Sequence, residues 1–400
     1  MFFPENFKNK KILIYGYGKT GKSVQNYFIK NKIKHTIWDD NEKLNIKKID
    51  KKYYLKKYDY IILSPGVDIY HHKKKNFFRK HRKNIITDLD IFFLDEKKIR
   101  YIIGVTGTNG KSSFCNLLDN LIRKNNIRSR VIGNFGNPVL NEKISGNEYC
   151  ILELSSYQLD YSKYIKLDSA CILNISADHL DRHETMTKYK KTKLKIFNFL
   201  KSGGVGFYQK KSFPNLKKIK NIRNFNNINK LLVQKILNNN NILIPEINLK
   251  ENKLPHRYEM FYKISNFNFI NDSKSTNFDS TRYALKMTSN SILILGGLLK
   301  KRDNFFLKGF QNKIVKIYLF GNNVDELKKS LKKQKINYSY FLNLEDLLRY
   351  ISVKDFKKSL NKRKIFNILF SPGAASFDQY KNFEQRGKIF KKYVYKFFKR

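Results

Sequence analysis

The sequence predicts an α/β protein of three domains, each a largely parallel sheet with helices packed on it. Three observations carry this expectation. Short apolar runs such as KILIYGYG, RYIIGVTG and SILILGG end in glycine and lead into amphipathic stretches. That alternation restarts three times along the 400 residues. One of the turns, GVTGTNGKSSF from Gly104 to Phe114, places three glycines three apart ahead of a lysine and two serines. The expected domains are residues 1–97, Rossmann-like; 98–253, a central sheet of the phosphate-loop type; and 254–400, again Rossmann-like.

In the first segment, KILIYGYG leads to Gly16, Gly18 and Gly21, then to a helix through Val24, Tyr27 and Phe28. A second strand, HTIWDD, ends in Asp39 and Asp40, and a third, YDYIILSPGV, ends in a Ser64-Pro65-Gly66 turn. Gly-x-Gly-x-x-Gly with an acid about twenty residues on suits a nicotinamide dinucleotide. The same geometry serves any nucleotide whose diphosphate meets a helix N-terminus, so both remain open at this point.

The second segment opens with the glycine turn. Tyr101, Ile102, Ile103 and Val105 read as a buried strand, and Phe114, Leu117, Leu118, Leu121 and Ile122 repeat at helical spacing. A turn between them aims backbone N–H groups and the positive end of the helix dipole at an anion. Lys111 adds a full charge, and the Ser112 hydroxyl is suited to Mg²⁺. Val105 stands where the usual phosphate loop has glycine, so this is a variant with Gly104 one residue further out. The strand EYCILELSS ends at Glu153, a hard oxygen ligand suited to Mg²⁺ beside Ser112. SACILNIS runs into ADHLDRH, which carries Asp178 and His179. The third segment carries LPHRYE, NDSKSTN, SILILGG and SPGAASFDQYKNFEQRG.

Composition narrows the class. Hydrophobic content of 41% with 14% aromatic supports real cores. No apolar run approaches the ~18 residues of a membrane span, and MFFPENFKNKK runs directly into the first strand, so neither membrane insertion nor a signal peptide is expected. Cys115, Cys150 and Cys171 lack metal-ligand spacing and read as reduced core residues of a cytoplasmic protein. The net charge of +48 is spread along the whole chain among Asn, Ile, Phe and Tyr. It reads as a compositional bias with solvated lysines, so no nucleic-acid partner is expected, and the chain is expected to be a monomer.

GTNGKSS, ELSSYQL, NISADHLDRH, TKLKIF, LPHRYE and NDSKSTN, in this order, resemble the motifs of the Mur ligases, ATP-dependent amide-forming enzymes of peptidoglycan assembly. SPGAASFDQYKNFEQRG is similar to the branch that adds D-glutamate to UDP-N-acetylmuramoyl-L-alanine. The resemblance spans residues 12 to 390. It implies a uridine nucleotide, not NAD, on the first domain, with Thr20 and Asp39 at the uridine diphosphate, Ser64 and Gly66 in the loop nearby, and Asn134, Ser155 and Gln158 at the muramoyl-alanine part. It implies ATP on Gly107, Thr108, Asn109, Gly110, Lys111, Ser112 and Ser113, with Asn227, Arg257 and Asp272. Mg²⁺ falls to Ser112 and Glu153, and a second metal to His179 and to Lys193, the lysine that the family carboxylates with CO₂. The D-glutamate pocket falls to Thr276, Lys300, Ser376, Phe377 and Phe383, with Lys301 an alternative to Lys300, and Lys274 near the reacting groups. Lys111, His179, Lys193 and Lys274 are the expected catalytic set.

The sequence departs from the family in three places. Asp40 and Asn41 replace a common Thr-Arg pair, so weaker uridine contacts are expected. GGLLKKRD lacks the usual polar residue before Lys300. The stretch from Lys193 to Arg257 is short, which implies a trimmed central domain. Two other readings compete. One is a different ligase of the group, or a folylpolyglutamate synthase. The other is a basic nucleotide- or nucleic-acid-binding ATPase without ligase activity.

Overall fold

The computed structural model describes residues 7–41, 57–95, 99–134, 137–209, 222–225 (backbone only), 233, 236–237, 242, 254–299, 305–356 and 364–399. The chain forms two compact units, Met1–Ser176 with Arg182–Asn252, and Ala177–Asp181 with Lys253–Arg400. Three separate sheets are present among the described residues, as the three restarts of strand and helix predict. The expected domain limits near 97 and 253 fall outside the described residues.

The first sheet has the order β2-β1-β3-β4, all parallel, from β1 (Ile12–Tyr15), β2 (Thr36–Trp38), β3 (Tyr60–Leu63) and β4 (Ile85–Ile86). Alternate residues of β1 serve opposite faces, as the two-residue period of a strand requires. Ile12 and Ile14 pack with Val24 and Phe28 of α1 (Lys19–Lys30). Leu13 and Tyr15 pack with Ile61, Leu63 and with Phe78 of α2 (Lys75–Lys80). Helix α3 (Asp88–Leu94) starts at Thr87, whose hydroxyl accepts from the Asp90 N–H while the Asp90 carboxylate accepts from the Thr87 N–H.

The second sheet, in the same unit, has the order β10-β9-β8-β5-β7-β6 and is parallel throughout. Its strands are β5 (Tyr101–Thr106), β6 (Ser129–Gly133), β7 (Tyr149–Glu153), β8 (Leu167–Ile172), β9 (Leu200–Gln209) and β10 (Ile222–Phe225). β5 is central, and Ile103 and Val105 bury against Phe114, Leu118 and Ile122 of α4 (Lys111–Lys124). Its opposite face carries Ile102 against Leu152, Leu167 and Ile196. Gly104 has a packing reason: a Cβ there would lie 2.5 Å from Leu167 Cδ1. Helices α5 (Ser156–Tyr161) and α6 (Met186–Leu194) follow β7 and β8. All three cysteines are free and buried, as expected.

The third sheet, in the second unit, has the order β11-β12-β16-β13-β14-β15. β11 (Glu259–Ile264) and β12 (Phe267–Asn271) form an antiparallel hairpin that the strand–helix alternation does not predict. β13 (Ser291–Gly296), β14 (Ile314–Phe320), β15 (Ser339–Phe341) and β16 (Phe366–Phe370) pair in parallel with their neighbours. One face packs on α7 (Phe278–Lys286) and α8 (Asp325–Lys333). The other packs on α9 (Leu344–Ile351) and α10 (Phe383–Phe397). No helix among the described residues is long and apolar enough to cross a membrane.

Candidate active site

The carboxyl end of β5 turns into α4 through Gly107 to Gly110, and Gly110 caps the helix at φ +82°. That left-handed conformation is nearly free for glycine and costly for other residues. Asn174, just past β8, holds the turn from outside. Its carbonyl accepts from the Thr108 N–H (3.0 Å), its side-chain oxygen from the Asn109 N–H (2.9 Å), and its amide donates to the Asn109 carbonyl (2.9 Å). The Thr108 hydroxyl donates to the Ser176 carbonyl (3.2 Å), accepts from the Ser176 N–H (3.1 Å), and meets the Tyr189 hydroxyl at 3.1 Å. The turn is therefore fixed, with its remaining N–H groups at the positive end of α4.

Two lysines converge on this turn. Lys111 donates to the carbonyls of Gly107 (2.8 Å) and Thr108 (3.0 Å). Lys193, on α6, is 1% exposed and donates to the Gly107 carbonyl (3.0 Å) and the Thr106 hydroxyl (3.3 Å). Its ammonium lies 4.9 Å from the centre of the Tyr189 ring, one helical turn earlier. Burial sets Lys193 apart from the solvated lysines that make up most of this chain's charge.

Glu153 ends β7, paired in register with Val105. It is 2% exposed. One carboxylate oxygen accepts from the Asn134 side chain (3.0 Å), and the other, also buried, has no hydrogen-bond partner among the described residues. A buried, half-satisfied carboxylate is costly without a further partner, and a hard cation supplies one. Ser112, in the first turn of α4, is nearly buried. Ser155 and Gln158 cap α5: the Gln158 side-chain oxygen accepts from the Ser155 N–H (3.0 Å) and hydroxyl (2.9 Å), and the Gln158 N–H donates to the Ser155 hydroxyl (3.2 Å). The sequence Ser-x-x-Gln carries this capping signal.

On the first sheet, Asp39 accepts from the backbone N–H groups of Tyr17 (2.6 Å) and Asn41 (2.8 Å), so it fixes the turn after β1. The Ser64 hydroxyl donates to the Gly16 carbonyl (2.7 Å). Thr20 lies in the first turn of α1, and Gly66 is exposed.

In the second unit, Asp272 follows β12 and accepts from the Ser371 hydroxyl (2.6 Å) and the Tyr258 N–H (3.0 Å). Burial pushes its carboxyl up to about 7 against those hydrogen bonds and the nearby Arg257 and Arg386 charges. The Lys274 N–H donates to the His256 carbonyl (3.0 Å), joining the LPHRYE and NDSKSTN stretches. The Lys274 ammonium lies 4.0 Å from the Phe383 ring centre and the Arg257 guanidinium 5.8 Å from it. Thr276 is half-buried, Ser376 is buried and Phe377 is 71% exposed. Arg386 is fully buried, and burial lowers its pKa to about 10. It donates to the carbonyls of Ser273 (2.8 Å), Ala374 (3.0 Å) and Gly296 (3.5 Å). Asp178 and His179 belong to this unit although their place in the sequence puts them in the central segment. The Asn277 amide donates to Asp178 (3.1 Å), which also accepts from the His179 N–H (2.9 Å). His179 takes a φ of +54°.

Asn227, Lys300 and Lys301 lie outside the described residues. Sequence reading missed Asn174, Tyr189 and Arg386. An Asn at the end of a strand beside a phosphate-type turn is a usable signal for the first; the other two carry none.

A model of the Mur ligase middle domain matches residues 105–271. The UDP-N-acetylmuramoylalanine--D-glutamate ligase of Francisella philomiragia is 31% identical over 427 residues, covering 98% of this chain and 98% of the relative. The chain belongs to the Mur ligase family. The corresponding ligase of Francisella tularensis subsp. novicida is 32% identical, over 98% of this chain and 97% of its own. Solved Mur ligases share the fold. The UDP-N-acetylmuramate-alanine ligase MurC from Thermotoga maritima gives a TM-score of 0.57 at 15% identity, over 97% of this chain and all of the other. The MurF ligase from Thermotoga maritima in complex with ADP gives 0.58 at 15%, over 98% and 97%. The expected family and α/β class are thereby established.

Proposed function

We propose that this Mur ligase joins D-glutamate to UDP-N-acetylmuramoyl-L-alanine at the expense of ATP. The observation that carries this reading is similarity from end to end, third domain included, to relatives bearing that activity in their names. The site supports the chemistry. The γ-phosphoryl group passes to an oxygen of the substrate carboxylate, ADP leaves, and an acyl phosphate results. The amine of D-glutamate attacks the acyl carbon, phosphate departs with the C–O bond, and the amine proton is lost.

Gly107 to Ser113 present N–H donors and the dipole of α4 to the ATP phosphates, and Lys111 moves from the loop carbonyls onto them. Ser112 and the unpartnered oxygen of Glu153 fit a divalent cation, which would offset phosphate charge during transfer. Lys193 would serve as a carbamate, formed when its amine adds to CO₂ with loss of a proton, and Lys193 and His179 are each assigned as ligands for a second cation. Arg257 and Asp272 are assigned to ATP, with Asn227 on the adenine. Thr20, Asp39, Ser64 and Gly66 serve the uridine diphosphate, and Asn134, Ser155 and Gln158 the muramoyl-alanine part. Lys274, Thr276, Lys300, Ser376, Phe377 and Phe383 serve D-glutamate. The protein acts as a cytoplasmic monomer.

ADP release with UDP-N-acetylmuramoyl-L-alanine and a panel of amino acids tests this. D-glutamate should be the strongly preferred acceptor. Preference for another amino acid, or ADP release without any acceptor, would overturn the assignment.

A further inference from the structure

The carboxyl edges of the first and second sheets are joined at Arg182. This residue lies in the helical turn Leu180–His183, which follows β8, and it is 5% exposed. Its two terminal nitrogens reach the turn that follows β3, donating to the Pro65 carbonyl (2.9 Å) and the Val67 carbonyl (2.7 Å). Helix α5, which follows β7, holds it from the other side. The guanidinium lies 3.9 Å from the centre of the Tyr157 ring and donates to the Tyr161 hydroxyl. That hydroxyl in turn donates to the Val67 carbonyl (3.1 Å). One cation thus fastens one turn of the first sheet to two segments of the second.

Packing alone does not call for a charge here. The acceptors are two carbonyls and a phenol, not a carboxylate, and Nε is buried with no partner among the described residues. A buried charge in that state is costly, and apolar residues of similar volume often hold such a contact as well or better. What the guanidinium fork supplies is two donors at a fixed spacing. Those donors set two peptide planes. The peptide bonds are trans, so with the Pro65 and Val67 carbonyls turned toward Arg182, the N–H groups of Gly66 and Asp68 point away from it. Neither N–H has a hydrogen-bond partner among the described residues. Gly66 is exposed and Asp68 half-buried. The Asp68 carboxylate is engaged by its own loop: it accepts from the N–H groups of Tyr70 (3.0 Å) and His71 (3.3 Å) and meets His71 Nδ1 at 2.8 Å.

We propose that Arg182 is a positioning residue for the nucleotide substrate: it sets the turn from Ser64 to Asp68 so that the Gly66 and Asp68 N–H groups receive phosphate oxygens. The inference rests on the proposed function for the identity of the ligand. That the ligand group is an anion follows from the turn itself, since two neighbouring backbone donors without partners form an anion-binding concavity. They stand at the carboxyl edge, where open parallel sheets bind ligands. Arg182 is buried behind the turn and acts through it, and its own position is set from the second sheet by Tyr157 and Tyr161.

Trp38 is the only tryptophan in the chain and packs, like Val67, on the cluster that holds Leu63 and Tyr161, so its fluorescence reports occupancy of this edge. UDP and uridine are titrated separately into the intact protein and into its Arg182→Met, Arg182→Lys and Tyr161→Phe variants, with thermal melts as a folding control. The parent should bind UDP tighter than uridine. Arg182→Met should weaken UDP about 10-fold or more, the scale of one or two misplaced hydrogen bonds to a charged group, and leave uridine unchanged. Arg182→Lys keeps the charge without the fork, so it should recover only part of the loss, and it carries the test if the Met variant does not fold. Tyr161→Phe should show a smaller loss in the same direction, because the Val67 carbonyl then keeps one of its two donors. In turnover, Arg182→Met should raise KM for the sugar nucleotide and leave KM for ATP unchanged, a split that general loosening of the fold does not produce. Unchanged UDP affinity in the folded Arg182 variants, or equal loss for UDP and uridine, would overturn the inference and leave the proposed function standing. A parent that binds neither compound would overturn both.

Discussion

Lys111 and Lys193 donate to one atom, the Gly107 carbonyl oxygen, at 2.8 and 3.0 Å. Their nitrogens are thus less than about 6 Å apart, the sum of those distances. Two ammonium charges at that range repel by about 3 kcal/mol at an effective dielectric constant of ~20. A bound anion, or conversion of one lysine to an anion, removes that repulsion. In the proposed function, ATP phosphates would do the first and carboxylation of Lys193 the second.

Lys193→Ala should therefore lose most activity, and Lys193→Arg should not recover it, because arginine keeps the positive charge and cannot be carboxylated. A short carboxylic acid such as acetate should restore part of the activity of Lys193→Ala by filling the vacated anion position. The check is turnover of each variant in buffer with and without CO₂. Parent-like turnover of Lys193→Arg, or indifference of the parent to CO₂ removal, would return Lys193 to a purely structural role.

Lys111→Ala should cost roughly 10³-fold or more in turnover, the scale of losing one fixed positive group at a charge-developing centre. Binding of the uridine nucleotide should be intact, since Lys111 donates to the Gly107 and Thr108 carbonyls of the turn after β5, in the second sheet. Phosphate release and Trp38 fluorescence measure the two separately. Loss of nucleotide-sugar binding alone would show that the domains are misassigned.

Tyr189→Phe removes the hydroxyl at 3.1 Å from Thr108 and keeps the ring under Lys193. One buried hydrogen bond is worth about 1 kcal/mol, so the melting point should fall slightly and KM for ATP should rise a few-fold. Tyr189→Ala should lose much more, because it also opens a cavity beside Lys193. Equal kinetic effects of the two would mean that the hydroxyl alone matters.

Asp88, in the first turn of α3, is 4% exposed and has one carboxylate oxygen with no partner among the described residues. Burial pushes its carboxyl up to about 7, with the neighbouring Asp90 charge adding to the rise. The unfolded carboxyl titrates near 3.9. The folded form thus holds the extra proton between those values. Its stabilising contribution is complete below about pH 4, declines as pH rises, and is lost above about pH 7. Asp88→Asn has no such titration, so its melting point should gain on the parent from pH 5 to pH 8, by at most about 1.4 kcal/mol of stability per pH unit. A pH-independent gap between the two proteins would refute the assignment.

Much of the fold could be read from the sequence because the central strands of the sheets, such as β1, β5 and β13, are apolar and end at their turns. KILIYGYG, RYIIGVTG and SILILGG sit where expected. The β11–β12 hairpin escaped because Glu259 to Asn271 alternates too weakly to separate from its surroundings. The phosphate-type turn was legible from three glycines and a lysine. Burial of Lys193 was not: α6 reads MTKYKKTKL, and nothing local distinguishes Lys193 from Lys188, Lys190 or Lys191. Only the ordered set of motifs singled it out. Residues 177–181 could not be assigned to the second unit either, because what holds them there includes the Asn277–Asp178 hydrogen bond across 99 positions of sequence. Ser155 and Gln158 were legible only as a family motif, and the structure adds their role as the cap of α5.

Arg386 sends its donors to backbone carbonyls at Ser273, Gly296 and Ala374, which follow or end β12, β13 and β16. No covalent bond joins these three turns, yet one guanidinium ties them like a rivet through three plates. Three of the acceptors are main-chain atoms and the fourth is the Ser273 hydroxyl, which accepts from Arg386 Nε (3.1 Å), so substitutions at most other side chains of those turns leave the rivet in place. The carboxyl edge of the third sheet, to which the proposed function assigns D-glutamate, is then free to vary the groups it shows while its framework stays rigid. A domain built this way can change which amino acid it accepts without first learning to fold again.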